Sequence, residues 1–309
     1  MRALVTGGRG FVGRHLVDHL RTCGDEVVVV DHADGGVDVT DPAAVREVVG
    51  AHRPDAVYHL AGWADVGSSW SNPAGALHLN AVGTLHVLEA SREAGVERVL
   101  SVASAEVYGV VAEDELPVRE DAPLRPTSPY AASKVAAEAV AQQAFLGHGL
   151  GVLRVRPFNH IGPGQSEHFL APALAGRVAR AERDGADTVA VGNLTPRRDL
   201  TDVRDVVRAY RLLIERGEPG EVYNVCSGRD VAVQELADSL LAMADRPLAL
   251  EPDPALSRPV DLPVLRGDPT RLQAATGWAP EIPLEQTLHD VLDDLRARVA
   301  QETAATEAR

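Results

Sequence analysis

The stretch MRALVTGGRGFVGRHLVDHL, residues 1–20, decides the architecture of this chain. Its apolar run at 3–6 reads as a buried strand, and the residues from 11 to 22 carry apolar side chains at helical spacing. Between them lie Gly7, Gly10 and Gly13. Glycines between a strand and a helix permit a tight turn, and they let a pyrophosphate approach the backbone and rest on the helix N-terminus. A glycine triplet alone is weak, because many turns are glycine-rich. The strand before it and the apolar helix after it strengthen the reading. Gly7, Gly10, Phe11, Val12 and Gly13 are therefore candidates for holding a dinucleotide.

A second strand at 26–30 ends at Asp31. A carboxylate there can accept hydrogen bonds from the adenosine ribose hydroxyls and repels a 2′-phosphate, which favours NAD(H) over NADP(H). The competing reading makes Asp31 a turn residue. Asp38, next to Val39 in DVTD, suits the adenine amino group or simple turn chemistry equally well. Asp41 caps a helix to about residue 52, with Pro42 in its first turn. Apolar runs at 56–60, 98–102 and 151–155 alternate with helices over 72–94 and 129–146. This alternation predicts an α/β fold, a doubly wound parallel sheet of Rossmann type covered on both faces. Ligands should then bind beyond the C-terminal ends of the strands.

Residues 1–158 form the expected dinucleotide-binding domain. A Gly/Pro-rich break at 159–165 opens a smaller, mixed α/β substrate domain reaching to 301. Helices are expected there at 169–184, 203–216, 231–244 and 269–276, and from 284 onward. Part of 199–228, with a strand at 223–225, should return to the first domain. The small, polar residues 302–309 read as a frayed tail.

The bulk composition bounds the function. With 30 basic and 45 acidic residues among 309, the formal charge of −15 opposes a nucleic-acid binder. Cys23 and Cys226 are too few for a disulfide scaffold and fit a reducing compartment. The chain begins with a strand rather than a signal pattern, and no apolar run approaches the roughly 20 residues of a membrane helix. A soluble cytoplasmic protein without membrane contact is expected. Among the histidines only His15 and His19 stand four residues apart, and no further ligand motif accompanies them, so no metal is expected.

One basic residue stands apart. Every basic residue is an arginine except Lys134, which follows Tyr130 by four positions in SPYAASKVAAE. That offset places both on one helix face. An ammonium is a compact point charge where a guanidinium is a wide fork. Beside a phenol it should lower the phenol pKa from about 10, leaving a general acid–base group near neutrality. The bland alternative is a surface lysine. Ser104, in SVASAEVYG at the end of the fourth run, should enter the same cleft and hold a carbonyl oxygen. Ser101, inside that strand, reads as structural. His59 reads as a packed residue, whereas His160 is a candidate for the cleft. Trp63 and Trp70 flank a loop expected over the cofactor and substrate.

Together TGGRGFVG, HLAG at 59–62, Asn80 in LNAVGTLHVLEA, SAEVYG and YAASK resemble the extended short-chain dehydrogenase/reductase superfamily, over nearly the whole chain. RPFNHIGPGQ, RRDLTDVRDVVRAY, GEVYNVCSG and ATGWAPEIPLEQTL narrow the resemblance to GDP-4-keto-6-deoxymannose reductases and the neighbouring GDP-mannose 4,6-dehydratases. The resemblance implies a catalytic set of Ser104, Tyr130 and Lys134. It places Leu60, Ala61, Gly62 and Asn80 with the glycine turn, Asp31 and Asp38 around NAD(P). It assigns Asn159, Arg198 and Arg258 to a nucleotide-diphosphate sugar, the arginines as phosphate partners. A surface ion pair is the alternative for each arginine. A homodimer through the Ala-rich helices 72–94 and 129–146 is also implied.

Glu106 keeps dehydration open, since dehydratases carry a glutamate there to take the proton alpha to a transient keto group. Ala105 stands where they usually carry a polar group, and the HADGGV link is short; both tilt toward C4 reduction of a GDP-4-keto-6-deoxyhexose. Another nucleotide-sugar epimerase or dehydratase, and a non-catalytic dinucleotide sensor, are further alternatives. A sensor has no need of the Ser/Tyr/Lys set. The base, the sugar and the C4 stereochemistry are not legible.

Overall fold

The structure, a computed structural model, describes residues 1–256 and 262–307; Arg258 lies outside the described residues. The first half contains β1 (Arg2–Thr6), α1 (Phe11–Thr22), β2 (Glu26–Val30), α2 (Pro42–His52), β3 (Ala56–His59), α3 (Val66–Ser69) and α4 (Pro73–Leu77). It continues with α5 (Gly83–Ala94), β4 (Arg98–Val102), α6 (Pro129–His148) and β5 (Gly151–Pro157). Then follow β6 (Asn159–Ile161), α7 (Leu170–Asp184), β7 (Thr188–Val191), β8 (Arg197–Asp202), α8 (Val203–Arg216), β9 (Val222–Val225) and β10 (Asp230–Ala232). The last elements are α9 (Val233–Ala242), β11 (Ala249–Pro252), β12 (Val264–Leu265), α10 (Thr270–Thr276) and α11 (Leu284–Glu307).

Six strands form one parallel sheet in the order β2-β1-β3-β4-β5-β9. Its strands are apolar on both faces because both faces are covered. Leu16 and Leu20 of α1 and Val206, Tyr210 and Leu213 of α8 pack on one face with Leu100 and Val155. Val45 and Val49 of α2, Val87 and Leu88 of α5 and Ala141 of α6 pack on the other. β1 pairs with β2 on one side and β3 on the other, so the connections diverge there and a crevice opens beyond the strand ends. The doubly wound fold expected from the alternating pattern is therefore present.

In the second half, β8 pairs with β6, β10 and β12, and β7 pairs with β11. Leu174 and Val178 of α7, Leu236 and Leu240 of α9, and Val291 and Leu295 of α11 share a second core. The two halves meet at the start of α1: the Phe11 ring stacks on His160 at 6.1 Å, and His15 Nε2 lies 2.9 Å from the Pro163 carbonyl.

Local signals set several boundaries. The Asp41 carboxylate accepts from Ala43 N at 2.9 Å and Ala44 N at 3.2 Å, with Pro42 opening α2. The helix expected over 72–94 is interrupted by a π turn, His78–Val82, which holds Asn80. α11 takes in most of the stretch read as a frayed tail; its Ala, Glu and Gln residues are good helix formers. No helix among the described residues is long and apolar enough to cross a membrane.

Candidate active site

A cavity of about 1710 Å³ lies beyond the strand ends, bounded by the glycine turn, Asp31, Ser104, Tyr130, Asn159 and Arg198. That exceeds the usual range of about 300–1,000 Å³ for a single small-ligand pocket. A volume of that size leaves room for a dinucleotide and a second ligand.

The glycine turn fits a pyrophosphate. Gly7 has φ +69°, a left-handed conformation, and an added Cβ would lie 2.8 Å from Ala61 N. A Cβ on Gly13 would run into the Gly7 carbonyl oxygen. Gly10 caps α1 with no side chain, so the first N–H groups of a twelve-residue helix are left for an anion. Phe11, Val12, Val39, Leu60, Ala61 and Gly62 also border the cavity. Gly7→Ala adds a backbone cost of about 1–2 kcal/mol and crowds Ala61. NAD(P)H affinity, read by fluorescence titration, should fall about tenfold or more; unchanged affinity would contradict this cradle.

Asp31 is fixed by the turn that it faces: its carboxylate accepts from Arg9 N at 2.9 Å and Ala33 N at 3.1 Å. Asp38 accepts from Thr40 N and Oγ1, both at 2.8 Å, which hold its carboxyl below the usual range. Turn chemistry is thus present at Asp38, although the residue still borders the cavity. Asn80 is not among the cavity-lining residues. It stands behind the wall, accepting from Trp63 N at 2.8 Å and donating to Ser133 Oγ at 2.7 Å. Its place in the π turn aims it at the Gly62–Trp63 backbone.

Ser104, Glu106, Tyr130 and Lys134 converge on one side of the cavity. Ser104 caps the short turn Ala105–Tyr108, its Oγ accepting from Glu106 N at 3.2 Å. Ser128 caps α6 and Pro129 opens it, which sets Tyr130 in the first turn. Tyr130 N donates to Ser69 Oγ at 3.2 Å. Lys134 Nζ donates to the Val102 carbonyl at 3.0 Å and lies 5.9 Å from the Tyr130 ring centroid.

The electrostatics correct one expectation. Tyr130 is not acidified: burial pushes it up to about 12, a hydrogen bond with Ser104 opposes this, and the Glu106 charge adds to it. Burial also pulls Lys134 down to about 8, against the pull of Glu138. Desolvation is the largest cause at both groups, because both lie inside the protein. A phenol that stays protonated at neutral pH is a proton donor.

Behind this wall lies a closed ion-pair network. Arg156 Nε and Nη2 each donate to the Glu138 carboxylate at 2.7 Å, and Nη1 donates to Tyr108 Oη at 2.8 Å and the Glu120 carbonyl at 3.0 Å. Tyr108 Oη donates to Asn224 Oδ1 at 2.7 Å. Tyr108 ends the turn that carries Ser104 and Glu106, while Glu138 sits one helical turn beyond Lys134. The network therefore sets the two catalytic segments against each other.

At the far end, Asn159 is exposed at the start of β6 and lines the cavity with His160. Arg198 borders it too, donating from Nη1 to the Leu262 carbonyl at 2.7 Å and the Arg197 carbonyl at 2.8 Å. Its sequence neighbour Asp199 accepts from Ser227 Oγ, and Asp202 binds Arg204. Trp63 and the 59 % exposed Trp70 also border the cavity. His59 is a packed group: buried between Thr6 and Thr84, it is pulled down to about 3 by burial and is neutral. Sequence reasoning did not single out Ser69 and Ser133, which bond Tyr130 N and Asn80, or Phe169, Arg177, Asn193 and Tyr210, which tertiary placement brings to the cavity.

A family profile described as "NAD dependent epimerase/dehydratase family" matches residues 3–226. A GDP-6-deoxy-D-mannose reductase of Pseudomonas aeruginosa is 39% identical over 305 residues, covering 97% of this chain and 99% of that protein. The solved structure of RMD from Pseudomonas aeruginosa complexed with NADPH is 38% identical, with TM-score 0.89, covering 96% of this chain and 100% of that one. The UDP-glucose 4-epimerase of Thermus thermophilus, solved with NAD, is 32% identical, with TM-score 0.86, covering 96% and 99%. A glycine turn at a switch point, a Ser/Tyr/Lys cluster beside it and these full-length likenesses agree: the chain belongs to the NAD dependent epimerase/dehydratase family.

Proposed function

We propose that this protein is an NAD(P)H-dependent oxidoreductase that reduces the C4 keto group of a GDP-4-keto-6-deoxyhexose, giving GDP-rhamnose or its C4 epimer. The observation that carries the reading is Tyr130 beside Ser104 in the cavity wall, joined to the 39% identity with a GDP-6-deoxy-D-mannose reductase. When bound, the reduced nicotinamide supplies a hydride to the keto carbon. Ser104 donates its O–H to the C4 oxygen and orients the carbonyl. Tyr130 gives its phenolic proton to that oxygen as charge develops, so hydride and proton together yield the alcohol. Lys134, held by the Val102 carbonyl, offsets the phenolate left behind. Asn159 and Arg198, with Arg258, are assigned to the nucleotide diphosphate. Asp31 favours NAD(H), and the NADPH complex of RMD supports NADP(H) as well.

Glu106 supports a second reading, 4,6-dehydration of GDP-mannose, because its carboxylate borders the cavity close enough to act on Tyr130. One experiment separates the two: purified protein is given NAD(P)H and GDP-4-keto-6-deoxymannose, and absorbance at about 340 nm is followed. Cofactor oxidation is expected. No oxidation, with turnover of GDP-mannose without added reductant, would overturn the assignment.

The pH dependence should follow Lys134. It is charged below about 8 and Tyr130 is protonated below about 12, so the lysine titrates first as pH rises. We expect kcat/KM to be level below that value and to fall about tenfold per pH unit above it. A profile flat to about pH 10 would contradict this role for the ammonium.

The reading extends to organisation. Residues 1–158, with β9 and α8, form the cofactor unit, and most of 159–301 forms the substrate unit. Ala74, Leu77, Ala132 and Ala139 are exposed on the outer faces of α4 and α6, which supports a homodimer. Sedimentation at the monomer mass would refute that dimer. Free Cys23 and Cys226 suit a reducing cytoplasm, and a cell fractionation that finds the protein elsewhere would refute it.

A further inference from the structure

His59 takes part in no step described above, yet it belongs to a chain of hydrogen bonds whose direction the geometry fixes. The Thr84 hydroxyl lies 2.5 Å from the Asn80 carbonyl oxygen. Two oxygens come that close only with a proton between them, and a threonine hydroxyl has a single proton, so Thr84 donates to Asn80. Thr84 Oγ1 also lies 3.0 Å from His59 Nε2, and with its proton spent it must accept there. His59 Nε2 therefore carries the ring proton. The buried imidazole is neutral, so its Nδ1 is bare and accepts from Thr6 Oγ1 at 2.8 Å. Thr6 Oγ1 in turn accepts from Ala61 N at 3.2 Å. The other tautomer would leave two acceptors facing each other at Thr84.

A second branch obeys the same rule. Ser133 Oγ gives its proton to the Tyr130 carbonyl at 2.7 Å, and so accepts from Asn80 Nδ2 at 2.7 Å. That orients the Asn80 amide, whose Oδ1 accepts from Trp63 N at 2.8 Å. Thr6, His59, Thr84, Asn80 and Ser133 are all buried, so water does not substitute for a lost partner. The chain runs from the wall Ala61–Trp63, which borders the cavity beside the glycine turn, to the first turn of α6, which carries Tyr130. We propose that His59 is a positioning residue: locked as the neutral Nε2–H tautomer, it holds the cofactor wall Ala61–Trp63 in register with Tyr130. The inference rests on a dinucleotide binding beside the glycine turn and not on which sugar is reduced.

The test takes two readings on the full chain without any sugar. The first is NMR of the imidazole nitrogens in protein carrying isotope-labelled histidine, the His59 signals being those lost in His59→Gln. We expect a protonated Nε2 and a bare Nδ1, unchanged from about pH 5 to about pH 8. A ring protonated at Nδ1, or one that titrates in that span, would overturn the proposal. The second is NAD(P)H affinity by fluorescence titration. A glutamine amide nitrogen reaches the place of Nε2 and donates to Thr84, so His59→Gln should bind within about twofold of the parent. His59→Leu fills the space but strands both threonines, and should bind about three- to tenfold more weakly, the worth of one buried hydrogen bond. Leucine binding as well as glutamine would make the ring a space-filler and overturn the proposal. Should the leucine variant fail to fold, the tautomer and the glutamine variant decide, and glutamine weaker by about tenfold or more overturns it. A parent protein that does not turn over the keto sugar would strike the assignment above and leave both readings intact.

Discussion

Tyr130→Phe should lower kcat by about 10²–10⁴ while leaving NAD(P)H binding and thermal stability close to wild type. The ring is buried, and phenylalanine fills the same space. What is lost is the phenolic proton adjoining Ser104. With that hydroxyl held at about 12, it is protonated throughout the working range, and the neighbouring groups at this wall do not replace it. Lys134 spends a donor on Val102 O, and His59 is neutral and enclosed between two threonines. Steady-state rates together with a cofactor titration check the prediction. A loss of cofactor affinity as large as the loss of rate would make Tyr130 a binding group instead of an acid.

The second large effect concerns folding. Arg156→Met should destabilise the protein by about 3–5 kcal/mol, because it strips the buried Glu138 carboxylate of its directly bonded guanidinium and leaves only the more distant charges of Lys134 and Arg154. The Arg156 and Glu138 side chains are each about 5% exposed, and the Arg156 guanidinium also covers the Tyr108 ring at 4.9 Å. The double variant Arg156→Met/Glu138→Leu removes both charges and should recover most of the loss. Urea unfolding of the single and double variants reads the difference. A single variant as stable as the parent would show that the pair is not closed off from solvent.

What the sequence allowed follows from the range of each interaction. The glycine turn, the Asp41 cap and the Pro129 start of α6 are local devices, so their chemistry was legible in a few consecutive residues. The Tyr130–Lys134 pairing rode on a single helical turn and was legible for the same reason. The acidity of that tyrosine was not, because it depends on burial by elements distant in sequence, and the proximity of lysine was overweighted. Asn80 is expected around the cofactor from its motif, but its bond from Trp63 N and its place in a π turn join segments that no local pattern links. Arg156 stood in a motif, but Glu138 and Tyr108 reach it from two other elements. Tyr210 gave no signal at all; a tyrosine in an amphipathic helix reads as core until α8 is seen to border the cavity.

The central claim is that a protonated Tyr130 and a bound dinucleotide act together on one carbonyl carbon. The direct measurement supplies NAD(P)H deuterated at the transferable position, with GDP-4-keto-6-deoxymannose, and locates deuterium in the product by NMR. We expect one deuterium at C4 of the sugar for each cofactor oxidised. Deuterium elsewhere on the sugar, or product formed with none, would contradict the account.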